Sequence, residues 1–289
     1  MRLALHPVSI AANKEQKMIR VVTLNIWQEQ GRWEDRLNLI RARMATIQPD
    51  VLCLQEVRQV KGRIPNQAET LAHGLGMEFS YETAQPWGGG DEGLAILSRF
   101  PIADRDFCEL PSREGESRRI CLGVAVQAPE ARAWIFTTHL AFRLTDGALR
   151  ELQVVEVDRF VREHHSASTA SVITGDFNSI PESDEMRYLR GLTTIQNKRT
   201  YYQDAFALCN PGVSGFTWCR ENPHTLELEW LEPNRRLDYI YVSPMTRAGS
   251  GRIHASRIVC SEPDERGIRC SDHYGVLAEV TMAAAHDSN

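Results

Sequence analysis

Eight polar side chains in this sequence stand where apolar runs end: Asn25, Glu56, His139, Asp176, Asn178, Asp238, Asp272 and His273. Asn25 closes Val-Val-Thr-Leu, and Glu56 closes Val-Leu-Cys-Leu-Gln, where a carboxylate is costly unless it is paired or bound to a metal. His139 follows Ile-Phe-Thr-Thr. Asp176 and Asn178 follow Val-Ile-Thr-Gly, whose glycine permits a tight exit. Asp238 opens Asp-Tyr-Ile-Tyr-Val, and Asp272 and His273 sit side by side before Tyr-Gly-Val. Taken singly, Asn25 could satisfy a turn, Glu56 an arginine and Asp238 a surface ion pair. Together, several carboxylates with asparagine and two histidines suit a hard cation held by oxygen ligands. Mg2+ or Mn2+ is favoured over zinc, because no cysteine or histidine cluster has zinc-ligand spacing.

The elements that must carry these residues alternate short apolar runs with longer periodic segments, the pattern of an α/β protein whose strands are buried between layers. Strands are predicted at 19–25, 51–55, 94–98, 120–126, 133–138, 171–175, 237–242 and 274–281. Helices are predicted at 33–47, where Trp33, Leu37, Ile40 and Met44 recur at helical spacing, at 147–163, and after Pro181. Loops rich in Gly, Pro and charge are expected at 85–93, 111–117, 210–234 and 262–271. A single domain over 18–283 is the economical reading. It is preceded by residues 1–17, a flexible arm or a leader to a start at Met18, and followed by a tail at 284–289.

In this order the motifs Leu24-Asn25, Leu54-Gln55-Glu56, Thr138-His139-Leu140, Gly175-Asp176-Phe177-Asn178, Leu237-Asp238-Tyr239 and Ser271-Asp272-His273 resemble the endonuclease/exonuclease/phosphatase superfamily, in its bacterial stand-alone form. The resemblance spans roughly residues 20 to 281. It implies a four-layered α/β sandwich of the deoxyribonuclease I-like kind, with two central mixed β-sheets flanked by helices. It also implies divalent-metal-dependent hydrolysis of phosphate esters, most directly by a nuclease. By the same resemblance Glu56 is the principal metal ligand, with Asn25 and Asp272 in support. Asp176 and Asn178 orient or activate the attacking water, and either Asp176 or His273 takes its proton. His273, held by Asp238, meets the scissile phosphate, and His139 makes a second phosphate contact. These roles suit phosphoryl transfer, where positioning and charge neutralisation dominate.

Two departures narrow the branch. Ile26-Trp27 follows Asn25 where apurinic-site endonucleases and tyrosyl-DNA phosphodiesterases have an aspartate two residues on. A histidine also stands at 139 where repair endonucleases carry tyrosine, which is more like the deoxyribonuclease, sphingomyelinase and phosphatase branches. Substrate contacts are expected from loops. Trp87 lies beside Gly88-Gly89-Gly90, Arg118 lies in an arginine-rich stretch from Arg113 to Arg119, and Trp218 and Arg236 bracket a segment with His224, Trp230 and Arg235. Tryptophan faces with arginines could stack bases and bind phosphates, so the expected partner is a phosphate-ester substrate, DNA or RNA among the candidates. A lipid-headgroup phosphodiesterase, a small-molecule phosphatase and a non-catalytic phosphate-binding relative stay open.

The net charge of −5 argues against coating nucleic acid by bulk electrostatics. The seven cysteines are scattered and odd in number, as free thiols in a reducing cytoplasm would be. With no apolar run near the roughly 20 residues a spanning helix needs, a cytoplasmic protein without membrane insertion is expected. Nothing in the sequence fixes an oligomeric state.

Overall fold

The computed structural model describes residues 18–128, 131–226 and 231–283; the expected arm and tail, and Trp230, lie outside the described residues. The chain forms β1 (Met18–Asn25), α1 (Trp33–Ile47), β2 (Val51–Gln59), α2 (Gln67–Leu75), β3 (Glu78–Trp87), β4 (Gly90–Ser98), β5 (Ile102–Glu109), β6 (Ile120–Ala128) and β7 (Ala131–His139). It continues through α3 (Gly147–His164), β8 (Val172–Asp176), α4 (Asp184–Leu189), β9 (Gln203–Asp204), α5 (Ala205–Cys209), β10 (Asp238–Val242), β11 (Ile253–Val259) and β12 (Gly275–Thr281). Two six-stranded sheets result, with orders β11-β12-β1-β2-β4-β3 and β5-β6-β7-β8-β10-β9. Each sheet holds one parallel pair joined by a helical crossover, β1-α1-β2 in the first and β7-α3-β8 in the second, and the other pairings are antiparallel.

The layering follows from strand parity. Val21, Cys53 and Ile96 of the first sheet pack against Leu122, Ile135, Val172 and Ile240 of the second, forming the central core. Their chain neighbours Val22, Leu52 and Leu54 point outward onto Ile40 and Met44 of α1 and Leu71 of α2. On the other flank Phe136, Ile173, Tyr239 and Tyr241 meet Val157 and Phe160 of α3 and Met186 of α4. Strands covered on both faces must be apolar at nearly every position, so they read as unbroken apolar runs. This is the expected four-layered α/β sandwich.

One expected loop is instead regular structure. Residues 85–93 form the tip of the β3–β4 hairpin, with Trp87 opposite Gly90 across a two-residue turn. Gly88 and Gly89 both have positive φ there, the backbone that two-residue hairpin turns demand. No helix among the described residues is long and apolar enough to cross a membrane.

Candidate active site

The floor of the site is set by register. In the second sheet Asp176 ends β8 with His139 of β7 as its partner on one side and Asp238 of β10 on the other. A Cβ at Gly175 would lie 2.0 Å from the Thr138 carbonyl oxygen, so only glycine lets β7 and β8 close on each other here. In the first sheet Asn25 and Gln55 are partners at the end of the β1–β2 pair. The buried Gln55 side chain donates through Nε2 to Thr23 Oγ1 at 3.1 Å and to Thr137 Oγ1 at 2.8 Å, tying the two sheets together beneath the site. Register between β2 and β4 shifts after Leu54, and at this bulge Glu56 takes φ +56°, turning its carboxylate into the gap between the sheets.

The two histidines are held in opposite charge states. His273 Nδ1 donates to Asp238 Oδ2 at 2.8 Å, and its Nε2 stands 3.6 Å from Asp176 Oδ2. Burial opposes its charge, but the Asp238 and Asp176 carboxylates prevail and hold its pKa well above the usual value. His139 is pushed well below, first by burial and then by the positive charges of Arg119 and His273. Arg119 Nη1 donates to His139 Nδ1 at 3.0 Å. A guanidinium can only donate, so Nδ1 accepts and the ring proton sits on Nε2, which stands 3.5 Å from Asp176 Oδ2.

Around Glu56 the balance is reversed. Burial, then Glu92 and Asp272, push its carboxyl up to about 8. Its nearest polar partners are the Asn25 amide, donating at 3.0 Å, and His139 Nε2 at 3.9 Å. Burial likewise raises Asp272 and Glu92, and it lifts Asp176 to about 6 against the pull of His273. No lysine or arginine stands within ion-pair distance of Glu56 or Asp272 among the described residues, and Arg36, which acts on Asp272 from further off, donates to the Cys270 carbonyl. A cluster of oxygen donors with this excess of negative charge fits a hard divalent cation at Glu56 and Asp272. Asp176, Asp238 and His273 also converge, with one ligand atom of each within 4.8 Å of the others. The Asp238–His273 hydrogen bond, however, makes that group an acid–imidazolium pair.

Above this floor opens a cleft of about 400 Å³. Glu56, His139, Asp176, Asn178, Asp272, His273, Trp87 and Trp218 line it, while Asn25 and Asp238 stand just behind. The amide of Asn25, expected beside the metal, is oriented by its Oδ1, which accepts from Trp27 N at 3.0 Å. Its NH2 therefore faces the carboxylates and bridges Glu56 and Asp176. Asn178 N donates to Asp176 Oδ1 at 2.9 Å, and the Asn178 amide donates to the Leu140 carbonyl.

Two residues expected to contact substrate, Arg118 and Arg236, do not line the cleft, and the chain neighbour of each does. Arg118 points outward, 3.4 Å from Glu109, and its neighbour Arg119 enters the cleft wall. Arg236 is buried against both oxygens of Asp204 at 2.9 and 2.8 Å and packs over the Tyr239 ring, while Arg235, paired with Glu232, lines the cleft. In extended backbone adjacent side chains face opposite ways, so a shift of one exchanges structural and site residues. Glu92 was missed altogether. It lies on β4, with Gln28 Nε2 donating at 2.6 Å and Arg119 at 3.9 Å, and its signal was an acid two residues ahead of the Leu94 apolar run. Trp27 and Phe142 complete the aromatic rim.

The chain has relatives among known proteins and solved structures. The chain is 28% identical to "Protein angel" of Drosophila melanogaster over 172 residues, covering 55% of this chain and 47% of that protein. It is 27% identical to Nocturnin of Xenopus laevis over 223 residues, covering 70% and 55% respectively. It thus spans about half the length of these curated relatives. Its fold superposes on an endonuclease/exonuclease/phosphatase from Beutenbergia cavernae with TM-score 0.69 at 23% identity, covering 93% of this chain and 72% of that one. It also superposes on D. rerio TDP2 complexed with single strand DNA product, with TM-score 0.72 at 17% identity and 91% and 98% coverage. A sequence model matches residues 22–273, nearly the whole sandwich with every floor residue inside it, and by that match the chain belongs to the Endonuclease/Exonuclease/phosphatase family.

Proposed function

We propose that the protein is a divalent-metal-dependent phosphodiesterase that cleaves polynucleotides. The observation that carries this reading is the convergence, in one cleft, of a charged His273, a neutral His139 and a carboxylate group around Glu56 that is short of positive charge. The aromatic rim of Trp27, Trp87, Phe142 and Trp218 favours a substrate with bases to stack over one that is only a small phosphate ester. The single strand DNA product on a TDP2 of like fold agrees with that choice.

Glu56 and Asp272 would hold Mg2+ or, alternatively, Mn2+, whose charge would neutralise a phosphate oxygen in the transition state. His273, kept protonated by Asp238, presents Nε2–H to the phosphate, and His139 presents the Nε2–H fixed by Arg119. Asp176 is aligned by Asn25 and the Asn178 N–H. With its carboxyl lifted to about 6, it is placed to accept the proton of the attacking water near neutral pH. All seven cysteines are free thiols, which suits a reducing cytoplasm.

The test is hydrolysis of bis(p-nitrophenyl) phosphate, plasmid DNA, single-stranded RNA and sphingomyelin in EDTA, Mg2+ or Mn2+, by wild type and Asp176→Asn. Metal-dependent cleavage of nucleic acid, lost in the variant, is the expected result. Cleavage of sphingomyelin alone moves the protein to lipid headgroups, and silence on all four moves it to small phosphomonoesters or to binding without catalysis.

A further inference from the structure

Arg58 lies on β2 two residues beyond Glu56, and its side chain is fully buried. Its Nε and Nη2 donate to the two carboxylate oxygens of Glu29 at 2.5 and 2.9 Å. Its remaining donors reach three backbone carbonyls of the β3–β4 hairpin: Trp87 at 2.6 Å, Asp91 at 3.1 Å and Gly88 at 3.4 Å. Only a planar guanidinium offers enough donors in a fixed fork to satisfy all four groups, which a lysine ammonium could not.

Those partners belong to two separate walls of the cleft. Glu29 sits in the β1–α1 connection with Trp27 and Gln28, and Gln28 in turn holds Glu92. The hairpin carries Trp87 across a turn of glycines, the most permissive backbone available. The hairpin also presses close to β2, since a Cβ at Gly90 would lie 2.3 Å from the Gln59 carbonyl oxygen. Trp87 is 45% exposed and lines the cleft. A large aromatic left open at the mouth, on a glycine turn whose carbonyls are pinned from below by a buried arginine, is placed to meet a ligand.

Resting on the phosphodiesterase reading above, we infer that Arg58 is a positioning residue that holds Trp87 at the cleft mouth as a stacking face for a base flanking the scissile phosphate. Through Trp87 it sets the preference for polynucleotides over small diesters. Arg58 touches no substrate; it acts through Trp87, with Glu29 supplying its counter-charge.

The experiment measures kcat and KM on a single-stranded oligonucleotide and on bis(p-nitrophenyl) phosphate, with metal, for wild type, Arg58→Met, Trp87→Ala and the double variant. Arg58→Met and Trp87→Ala should each raise the oligonucleotide KM by about tenfold, the scale of one lost base stack, with a much smaller change in kcat. Loss on the oligonucleotide should exceed loss on the small diester at least about fivefold in each variant. Removing Trp87 in the Arg58→Met background should cost less than about twofold more, because the two act as one unit. Equal losses on both substrates, an unchanged KM, or multiplying effects in the double variant would overturn the assignment. If Arg58→Met does not fold, Glu29→Gln is read the same way, and an unchanged KM there overturns it too. A wild type that cleaves the small diester but no oligonucleotide removes the polynucleotide reading, and the inference goes with it.

Discussion

The two sides of the catalytic floor differ in how they manage charge. On one side Asp238, Asp176 and His273 form a closed set, with two carboxylates around an imidazole that they keep protonated. On the other, Glu56, Glu92 and Asp272 crowd together, and among the described residues the polar partners nearest Glu56 are an amide and a neutral imidazole. The first side is complete as the chain folds. The second, on the reading proposed above, is completed by a divalent cation. That reading separates an acid–base apparatus fixed by side chains from an electrostatic one that the solvent supplies.

Removing the cation of the closed side should have the largest effect. His273→Ala is expected to lower kcat by about 10³-fold while leaving the Mg2+ dependence of the residual rate unchanged. A near-normal rate would mean that the acid–imidazolium pair is structural and the comparison false.

Glu56→Gln acts on the open side, and turnover should fall by about 10²-fold. The metal response should go with it: Mg2+ should no longer raise Tm. In EDTA the sign reverses. The folded-state pKa of Glu56, about 8, lies above the ordinary carboxyl value of 4.5, so between these values the folded state binds more protons than the unfolded one. Its contribution to stability therefore falls as pH rises through that window. Glu56→Gln should then melt higher than wild type at pH 8 in EDTA, with the difference vanishing near pH 4. A variant less stable than wild type at pH 8 would show that the carboxylate cluster is not short of positive charge.

The smallest effect is expected at the seam between the sides. Arg119→Gln removes both the donor to His139 Nδ1 and a positive neighbour. The rate should drop about tenfold, as for a residue that orients a catalytic imidazole. With less positive charge nearby, the His139 pKa should rise, and the acid limb of the pH–rate profile should move to higher pH. An unmoved acid limb would exclude Arg119 from control of this histidine.

How far the sequence could be read follows the same physical division. The β1-α1-β2 and β7-α3-β8 units were legible because strands covered on both faces are apolar throughout, and a carboxylate or imidazole that ends such a run stands out. β5, Ile-Ala-Asp-Arg-Asp-Phe-Cys-Glu, is largely exposed at a sheet edge, and β3 and β11 are also edge strands of mixed polarity, so none showed an apolar run. α2 escaped notice although its ends are marked in the sequence: Asn66 caps the first turn by accepting from Ala68 N and Glu69 N, and Gly76 closes the last in the left-handed conformation. The floor residues are conspicuous in the sequence as polar side chains ending apolar runs, and the roles expected of them rest on the order of the motifs that the family shares. The wall was harder, because choosing Arg119 over Arg118, or Arg235 over Arg236, requires knowing on which side of the backbone each residue falls.

β1 lies between β2 and β12, with Met18 opposite Thr281 and Thr23 opposite Val276. On the ribosome β1 is the first of the described strands to emerge and β12 the last. For that whole interval one edge of β1 keeps its backbone donors and acceptors unpaired. Asp272 and His273 lie just ahead of β12, separated from it by Tyr274, and emerge with it. The nascent chain therefore carries Glu56, His139 and Asp176 well before His273 can join them, and the floor of the cleft is assembled only once β12 has emerged, in the step that also seals the sheet.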